Sequence, residues 1–223
     1  EPNEISFQIK QIAKELGAVD AGVAKLNPNH IYSVTGRGPA GYGKQINLDH
    51  PYIFVFAVQM DYRAMNNAPK IDVVIESSKK YLESAKTSIA IASIIRSLGY
   101  QARAHMDMNY QVILPAAAVD AGLGEMGRLG LLMHPKYGPR IRLGAVSTDL
   151  PLTVDKPRYF NGESFCRECK KCATNCPSGA ISFGEGKENR GVKKWTTNQE
   201  ACYKLWREVG SDCGICMVVC PYS

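Results

Sequence analysis

Apolar residues follow a helical period in two long segments of the chain, with a strand-like run between them. From residue 5 to residue 16 they recur every three or four positions, which predicts a helix that ends at Gly17. Residues 52–58 are almost all apolar and predict a buried strand. Residues 76–98 return to the helical period and stop before Gly99, which predicts the longest helix.

Shorter elements complete the pattern in the first 150 residues. Strands are predicted over 131–133 and 140–146, on either side of a proline-rich turn. Residues 35–44 are rich in glycine and predict a loop, which either connects two elements or cradles a ligand. Because helices and strands alternate along the chain, the pattern favours an α/β (α+β) fold.

Length, composition and charge exclude several classes of protein. The 223 residues are 45% hydrophobic and 22% charged, which is typical of a folded globular protein. No apolar run reaches the roughly 18 residues that a membrane-spanning helix needs. The net charge of +6 is scattered, and without a basic stripe we expect no nucleic-acid partner. The chain opens at Glu1 without an apolar leader, so we expect either a removed targeting peptide or an excised fragment.

The cysteines are confined to one end of the chain, since all eight lie between residues 166 and 220. The composition changes near residues 155–162, just before them. We therefore predict two domains, a core over residues 1–155 and a cysteine-rich module over residues 156–223.

The spacing of the cysteines is that of bacterial ferredoxins, in which the fourth cysteine of a run ligates the other iron–sulfur cluster. The two runs read Cys166-x2-Cys169-x2-Cys172-x3-Cys176-Pro177 and Cys202-x10-Cys213-x2-Cys216-x3-Cys220-Pro221. By this crossing logic one cluster takes Cys166, Cys169, Cys172 and Cys220, and the other takes Cys176, Cys202, Cys213 and Cys216. A pair of zinc knuckles is the alternative, but the two Cys-Pro endings favour iron–sulfur clusters.

Two clusters imply electron transfer, and the destination of the electrons should lie in residues 1–165. The four histidines form no metal-binding pair, so each is predicted to be a surface or loop residue. The glycine-rich segment 122–130 lacks a strand directly before it and is not predicted as a Rossmann loop. Its glycines let the backbone approach a large flat ligand or simply allow tight packing; they are Gly122, Gly124, Gly127 and Gly130.

Several stretches carry a resemblance to a known family. Residues 119–132, 135–143 and 148–152 resemble the corrinoid- and iron–sulfur-dependent reductive dehalogenases, in the same order and leading into the same two-cluster module. The likeness extends from about residue 5 to the C-terminus. Epoxyqueuosine reductases share part of this block, but they continue with a Trp-Ile-Gly-Lys-type segment where this chain has Glu125-Met-Gly-Arg128.

The resemblance implies a nitroreductase-like core that binds a cobalamin (corrinoid), followed by a ferredoxin-like module with two [4Fe-4S] clusters. It implies that Tyr81 donates a proton as the carbon–halogen bond breaks. It also implies a nearby cation that stabilises tyrosinate, for which Arg140 is the best candidate, with Lys136 and Arg142 behind it. We count Lys136 and the four glycines as candidate contacts of the corrinoid.

One segment departs from the family pattern. Members often have an asparagine there that binds the halide or positions the tyrosine, and here the register is open between Asp107 and Asn109. An aspartate would repel a departing halide, so the substrate class depends on which residue faces the site.

The function implied is reductive cleavage of a carbon–halogen bond by an anaerobic oxidoreductase. We expect an organohalide substrate, a low-potential electron donor and a membrane anchor partner. Respiratory members face outward at the membrane after a twin-arginine signal is removed, and a cytoplasmic location is the alternative. The competing functions are a cobalamin-dependent reductase of another substrate, such as the epoxide of a modified nucleoside, and a non-catalytic electron carrier.

Overall fold

The computed structural model describes residues 1–36, 41–189 and 192–223. Positions 37–40 of the predicted glycine-rich loop lie outside the described residues. The helices are α1 Pro2–Glu15, α2 Tyr62–Met65, α3 Ile71–Ser97, α4 Leu114–Asp120, α5 Gly162–Cys169, α6 Lys171–Thr174, α7 Gln199–Val209 and α8 Ile215–Val218. The strands are β1 Asp20–Lys25, β2 Tyr52–Gln59, β3 Ala102–His105, β4 Glu125–Met126, β5 Leu132–Met133, β6 Ile141–Thr148, β7 Lys187–Asn189 and β8 Val192–Lys194.

The main sheet has four strands in the order β1, β2, β6, β3. The outer pairs are antiparallel, with Val23 opposite Phe54 in one pair and His105 opposite Ala145 in the other. In β2 every residue from 53 to 58 is buried, because this central strand is covered on both faces. The apolar run therefore marks the middle of the sheet.

The chain divides into two compact units that are not consecutive in sequence. The first comprises residues 1–58, 81–123 and 142–157, and the second comprises residues 59–80, 124–141 and 158–223. The predicted division into residues 1–155 and 156–223 stays a prediction as a functional boundary. In the structure, two earlier segments, residues 59–80 and 124–141, pack in the same unit as the cysteine-rich segment.

The core of the first unit joins two helices to one face of the main sheet. α1 contributes Ile9 and Ala13, and the C-terminal half of α3 contributes Ile91 and Ile95. They pack against alternate residues of the strands, namely Val23, Phe54, Phe56, Val58 and Val146. The period of 3.6 in the helices and of 2 in the strands thus places one continuous apolar layer between them.

The end of α4 lies very close to the backbone of β1 at Gly22. A Cβ atom on Gly22 would lie 2.0 Å from the carbonyl oxygen of Ala121, which follows α4 directly. Only a residue without a side chain fits so close to another backbone. Asp155 closes the unit, since its carboxylate accepts a hydrogen bond from the N–H of Val23 and pairs with Lys10 at 2.6 Å.

The second unit has a separate core rich in sulfur. Methionines from three segments pack against residues of the cysteine-rich segment, and the buried members include Met60, Met65, Met133, Cys172, Ile181 and Met217. Methionine adapts its shape to irregular spaces, which suits a core that surrounds short helices. Residues 59–80 and 124–141 supply the part of this core that residues 158–223 lack.

Most predicted elements are present, and the α/β (α+β) class is confirmed. The helix predicted over 76–98 begins earlier, at Ile71, and the strand predicted over 140–146 runs on to Thr148. The surface or loop placement predicted for the histidines is wrong for His105, which is buried in β3. His30 and His134 are buried too, but neither lies in a strand or an α-helix. Among the described residues, no helix combines the length and the hydropathy needed to cross a membrane.

Candidate functional site

All eight cysteines of the second unit are free thiols. Short helices carry most of them, which brings residues distant in sequence to one region. α5 bears Cys166 and Cys169, and α7 and α8 bear Cys202 and Cys216. Left-handed backbone at Lys170 turns the chain between α5 and α6, so that the first run wraps back on itself.

Electrostatic interactions divide the thiols into two sets. The thiol of Cys220 interacts with those of Cys166, Cys169 and Cys172, although it lies more than 40 residues further along the chain. The thiol of Cys216 interacts with those of Cys176, Cys202 and Cys213, and also with Cys172 of the other set. The first set is Cys166, Cys169, Cys172 and Cys220, and the second set is Cys176, Cys202, Cys213 and Cys216. Both have the same members as the predicted ligand sets, whose role as cluster ligands stays a prediction.

Burial keeps several of these thiols protonated in the absence of a metal. Loss of solvation raises the pKa of Cys216 to about 12 and the pKa values of Cys172 and Cys220 to about 11. Cys176 differs, because hydrogen bonds from Ser178 and neighbouring backbone outweigh the loss of solvation and lower its pKa. Thiolates bind iron, so cluster assembly must displace protons from the buried thiols.

The donor chemistry fits iron–sulfur clusters. Each set offers four thiols, which is the number that one [4Fe-4S] cluster requires. Among the described residues, no group of three or more His, Cys, Asp or Glu side chains is arranged around a position for a single metal ion.

Arg128 holds the loops around the first set. Its side chain is 1% exposed, and it donates to the carbonyls of Cys166 and Arg167 in the last turn of α5. It also donates to the carbonyls of Ser182 and Gly184, and its guanidinium lies 4.8 Å from the centre of the Trp195 ring. The contacts with Cys166 and Arg167 satisfy carbonyls that the end of α5 leaves without partners, and those with Ser182 and Gly184 join a later loop to the same side chain.

Glu125 performs the complementary task at the start of α5. Its carboxylate accepts hydrogen bonds from the N–H groups of Phe160 and Gly162, both at 2.9 Å. A negative charge at a helix start interacts favourably with the free N–H groups there. Sequence reasoning missed Glu125 and Arg128 as positioning residues, because their partners are backbone groups 35 or more residues away, and no local pattern reveals such contacts.

Tyr81 and Arg142 lie together in the first unit. Tyr81 is half-buried on α3, and the guanidinium carbon of Arg142 on β6 lies 5.0 Å from the centre of its ring. A guanidinium over an aromatic face is a favourable cation–π contact. Arg142, which ranked behind Arg140 on sequence, is therefore the cation that the structure brings to Tyr81.

Arg140 is engaged within the second unit. Its guanidinium donates to the carbonyl of Met60 and lies 5.4 Å from the centre of the Tyr62 ring. Its Nε is buried and has no hydrogen-bond partner among the described residues. Lys136 is exposed and lies over the ring of Tyr137 at 5.3 Å. The catalytic role of Arg140 and the cofactor role of Lys136 stay predictions.

The segment with the open register forms a turn after β3. The side-chain oxygen of Asn109 accepts a hydrogen bond of 2.6 Å from Arg103, while Met108 has left-handed backbone. Asp107 is half-buried and Asn109 is exposed. The amide oxygen of Asn109 is thus engaged by Arg103, and the predicted role of either residue at a halide stays a prediction.

The glycine-rich segment packs closely against the protein itself. A Cβ atom on Gly124 would lie 2.0 Å from the carbonyl oxygen of Met133, and one on Gly127 would lie 2.5 Å from the Met133 side chain. A Cβ on Gly130 would lie 2.8 Å from Thr197 Oγ1. Gly122 has a left-handed φ of 76°. Tight packing accounts for three of these glycines, and their contact with a corrinoid stays a prediction.

A chain of polar groups lies inside the first unit. Ser147 Oγ is 2.9 Å from both His105 Nε2 and His50 Nδ1, and the N–H of Gln111 donates to His105 Nδ1. Burial, reinforced by the charges of Arg103 and His50, lowers the pKa of His105 to about 3. His105 is therefore neutral, with its proton on Nε2, and donates to Ser147.

An α/β unit together with a unit that gathers two sets of four thiols defines an iron–sulfur protein. The family model described as the 4Fe-4S dicluster domain matches residues 165–223, which confirms a two-cluster module. This module accounts for the second unit's cysteines and leaves the first unit to be identified by similarity along the whole chain.

That similarity is to reductive dehalogenases. The tetrachloroethene reductive dehalogenase of Desulfitobacterium hafniense is 40% identical, over 99% of this chain and 48% of its own length. The structure of the catabolic reductive dehalogenase NpRdhA in complex with 3-bromo-4-hydroxybenzoic acid superposes with a TM-score of 0.91 at 33% identity, covering 100% of this chain and 32% of that chain. The chain belongs to the reductive dehalogenase family. It spans about half the length of the curated relatives it matches.

Epoxyqueuosine reductases are more distant relatives. The structure of the enzyme from Streptococcus thermophilus gives a TM-score of 0.66 at 18% identity, covering 98% of this chain and 66% of that chain. At this identity the likeness shows a shared fold alone.

Proposed function

We propose that this chain forms the electron-transfer and proton-donating part of a reductive dehalogenase, which delivers electrons through two [4Fe-4S] clusters to a corrinoid that cleaves a carbon–halogen bond. The observation that carries the proposal is the contact between Tyr81 and Arg142 in a chain with two fourfold thiol sets. A proton donor beside a fixed cation and a pair of clusters are the two contributions that such a reduction needs from the protein.

Tyr81 is the proposed proton donor to the carbon that loses its halogen. Transfer of the phenolic proton leaves a tyrosinate, and the guanidinium of Arg142 over the ring stabilises this negative charge. Arginine keeps its charge at every physiological pH, so the stabilisation does not depend on a second proton. Partial burial of the pair on α3 and β6 reduces screening by water.

The proposed corrinoid is the cofactor implied by the family, and one solved relative is described in connection with B12-dependent dehalogenation. When bound, the corrinoid supplies the low-valent cobalt for the cleavage. Arg140 fits such a group, because its buried Nε is a hydrogen-bond donor without a partner among the described residues. Lys136 is a second, exposed cation that we propose as a contact of the corrinoid. Gly122 belongs to the glycine-rich segment that precedes these two residues and is a further proposed contact.

The proposed substrate is an organohalide, and the proposed reductant is a low-potential electron donor. The relatives include tetrachloroethene and trichloroethene reductive dehalogenases and an enzyme in complex with a brominated hydroxybenzoic acid. These names support organohalides as the substrate class, and the halide ion that is released is the product to measure.

Electron paramagnetic resonance of the protein, reconstituted anaerobically with iron, sulfide and hydroxocobalamin, tests the cofactors. We expect two reduced cubane signals and a base-off Co(II) signal. Cubane signals beside base-on, free cobalamin would overturn the corrinoid part of the proposal and favour an electron carrier.

We also propose that the mature protein faces outward at the membrane, after export with a twin-arginine signal, and is held there by a separate anchor partner. Protease added to intact spheroplasts should degrade the protein together with an outward-facing marker. Protection equal to that of a cytoplasmic marker would contradict the proposal.

A further inference from the structure

Arg128 carries a buried positive charge that its hydrogen bonds do not neutralise. Its guanidinium donates to four main-chain carbonyls, and in the part of the chain that the structure describes it is not paired with a carboxylate. Burial of a charged guanidinium costs free energy unless a negatively charged group lies nearby.

The negative group that the arrangement fits is the cluster of the first thiol set. The Nε of Arg128 donates to the Cys166 carbonyl at 2.9 Å. The charge of Arg128 favours the ionised form of both the Cys166 and the Cys172 thiols. One residue therefore contacts Cys166 through its side chain and acts electrostatically on two ligands of this set.

A [4Fe-4S] cluster with four thiolates is an anion, and reduction adds one further negative charge. A fixed positive charge nearby stabilises the reduced form more than the oxidised form, as do hydrogen bonds to the sulfurs. Because Arg128 is 1% exposed, water and salt screen its charge little.

We propose that Arg128 is a positioning residue that raises the reduction potential of the cluster held by Cys166, Cys169, Cys172 and Cys220. This inference rests on the two-cluster part of the proposed function. The step concerned is the addition of one electron, supplied by the low-potential donor, to that cluster. The second set lies outside the contacts described for Arg128, so the potential of its cluster changes less than that of the first cluster when Arg128 is changed.

A purely structural role for Arg128 makes a different prediction. Removing its hydrogen bonds would then lower the content of clusters or the stability of the fold, and any cluster that remained would keep its potential. The midpoint potential therefore separates the two roles, and it is measured without reference to turnover.

The test is an anaerobic redox titration of the reconstituted protein with dithionite, followed by electron paramagnetic resonance. In Arg128→Gln we expect the equilibrium constant for reduction of one cluster to fall about tenfold, which is about 59 mV for one electron. The midpoint potential of the other cluster should change less. Cys169→Ser alters the spectrum of the affected cluster and so identifies it.

Arg167→Gln is the matched control, because Arg167 lies next to Cys166 but its side chain is 43% exposed and pairs with Glu163 and Glu185. We expect this variant to leave both potentials unchanged. Arg128→Lys keeps the charge and should keep the potential, which provides a test even where Arg128→Gln does not fold.

Several outcomes would overturn the inference. They are an unchanged potential in Arg128→Gln with both clusters present, a tenfold fall in Arg128→Lys, or an equal fall in Arg167→Gln. Wild-type protein that shows no cubane signals would instead overturn the proposed function.

Discussion

At the scale of single residues, the phenol of Tyr81 is the group whose removal separates proton donation from electron transfer. In Tyr81→Phe we expect halide release to fall by about 10²–10⁴-fold, the usual contribution of a general acid. The cubane and Co(II) signals should match those of the wild type, because the thiol sets do not include this residue. Halide release measured with a chemical reductant checks the prediction.

Tyr100→Phe is the control for this change, since Tyr100 belongs to the same compact unit and its side chain is partly exposed. It should retain full activity. Full activity in Tyr81→Phe would instead refute the assignment of Tyr81. Arg142→Gln should reduce halide release in the same direction, because it leaves the developing tyrosinate without its cation.

A second residue-scale prediction concerns pH. The pKa of His105 is about 3 in the folded protein and near 6.5 in the unfolded chain, so below pH 6.5 the unfolded state binds a proton that the folded state does not. The stability that depends on neutral His105 is present above pH 6.5 and is lost as pH falls. Between pH 7.5 and pH 5.5 this contribution is about 1.4 kcal/mol in the free energy of unfolding.

His105→Gln should remove that part of the pH dependence, as measured by urea unfolding followed by circular dichroism. Between pH 8.5 and pH 7.5, where a histidine of ordinary pKa stays neutral, the variant and the wild type should show the same dependence. An identical loss of stability in both proteins between pH 7.5 and pH 5.5 would contradict the prediction.

At the scale of elements, the approach of α4 to β1 depends on Gly22. In Gly22→Ala the new Cβ would meet the Ala121 carbonyl oxygen at 2.0 Å, so strand or helix must move. We expect a loss of about 1–3 kcal/mol in the free energy of unfolding. Gly36→Ala is the matched control, since no atom of the described residues lies within 4 Å of its Cβ position, and it should change stability by less than about 0.5 kcal/mol. Equal losses in the two variants would show that the close approach is unimportant.

The same scale shows which elements the pattern could predict. α1, α3 and β2 are long and strongly periodic, so hydrophobicity alone identifies them. β3 is short and pairs with the distant β6, which no local period reveals. β4 and β5 have two residues each and pair with each other, and only the β5 region, predicted over 131–133, was identified from the sequence. The thiol sets were predictable because ligand spacing is a local property. The choice of Arg142 over Arg140 was not, since it depends on which residue of β6 faces α3.

At the scale of the whole molecule, two cores imply two responses to loss of the metal. Removing iron with a chelator should remove the clusters that the thiols bind. This should destabilise the second unit, because buried thiols such as Cys172 are part of its core. We expect amides of α5, α6 and α8 to exchange rapidly with deuterium while those of β2 and β6 stay protected. Cluster-loaded protein under the same conditions is the control. Retained protection in α5 and α8 would contradict the expectation.

Each unit consists of three separate segments of the chain, so the order in which these segments are synthesised affects which surfaces are exposed during translation. A ribosome releases residues 1–157 first, and these include every segment of the first unit. Met60, Met65 and Met133 emerge at the same time, but the residues that cover them, Cys172 and Met217 among others, are made later. Until residues 158–223 have been made, the nascent chain therefore exposes a methionine-rich apolar surface, which chaperones would have to shield before the clusters are installed.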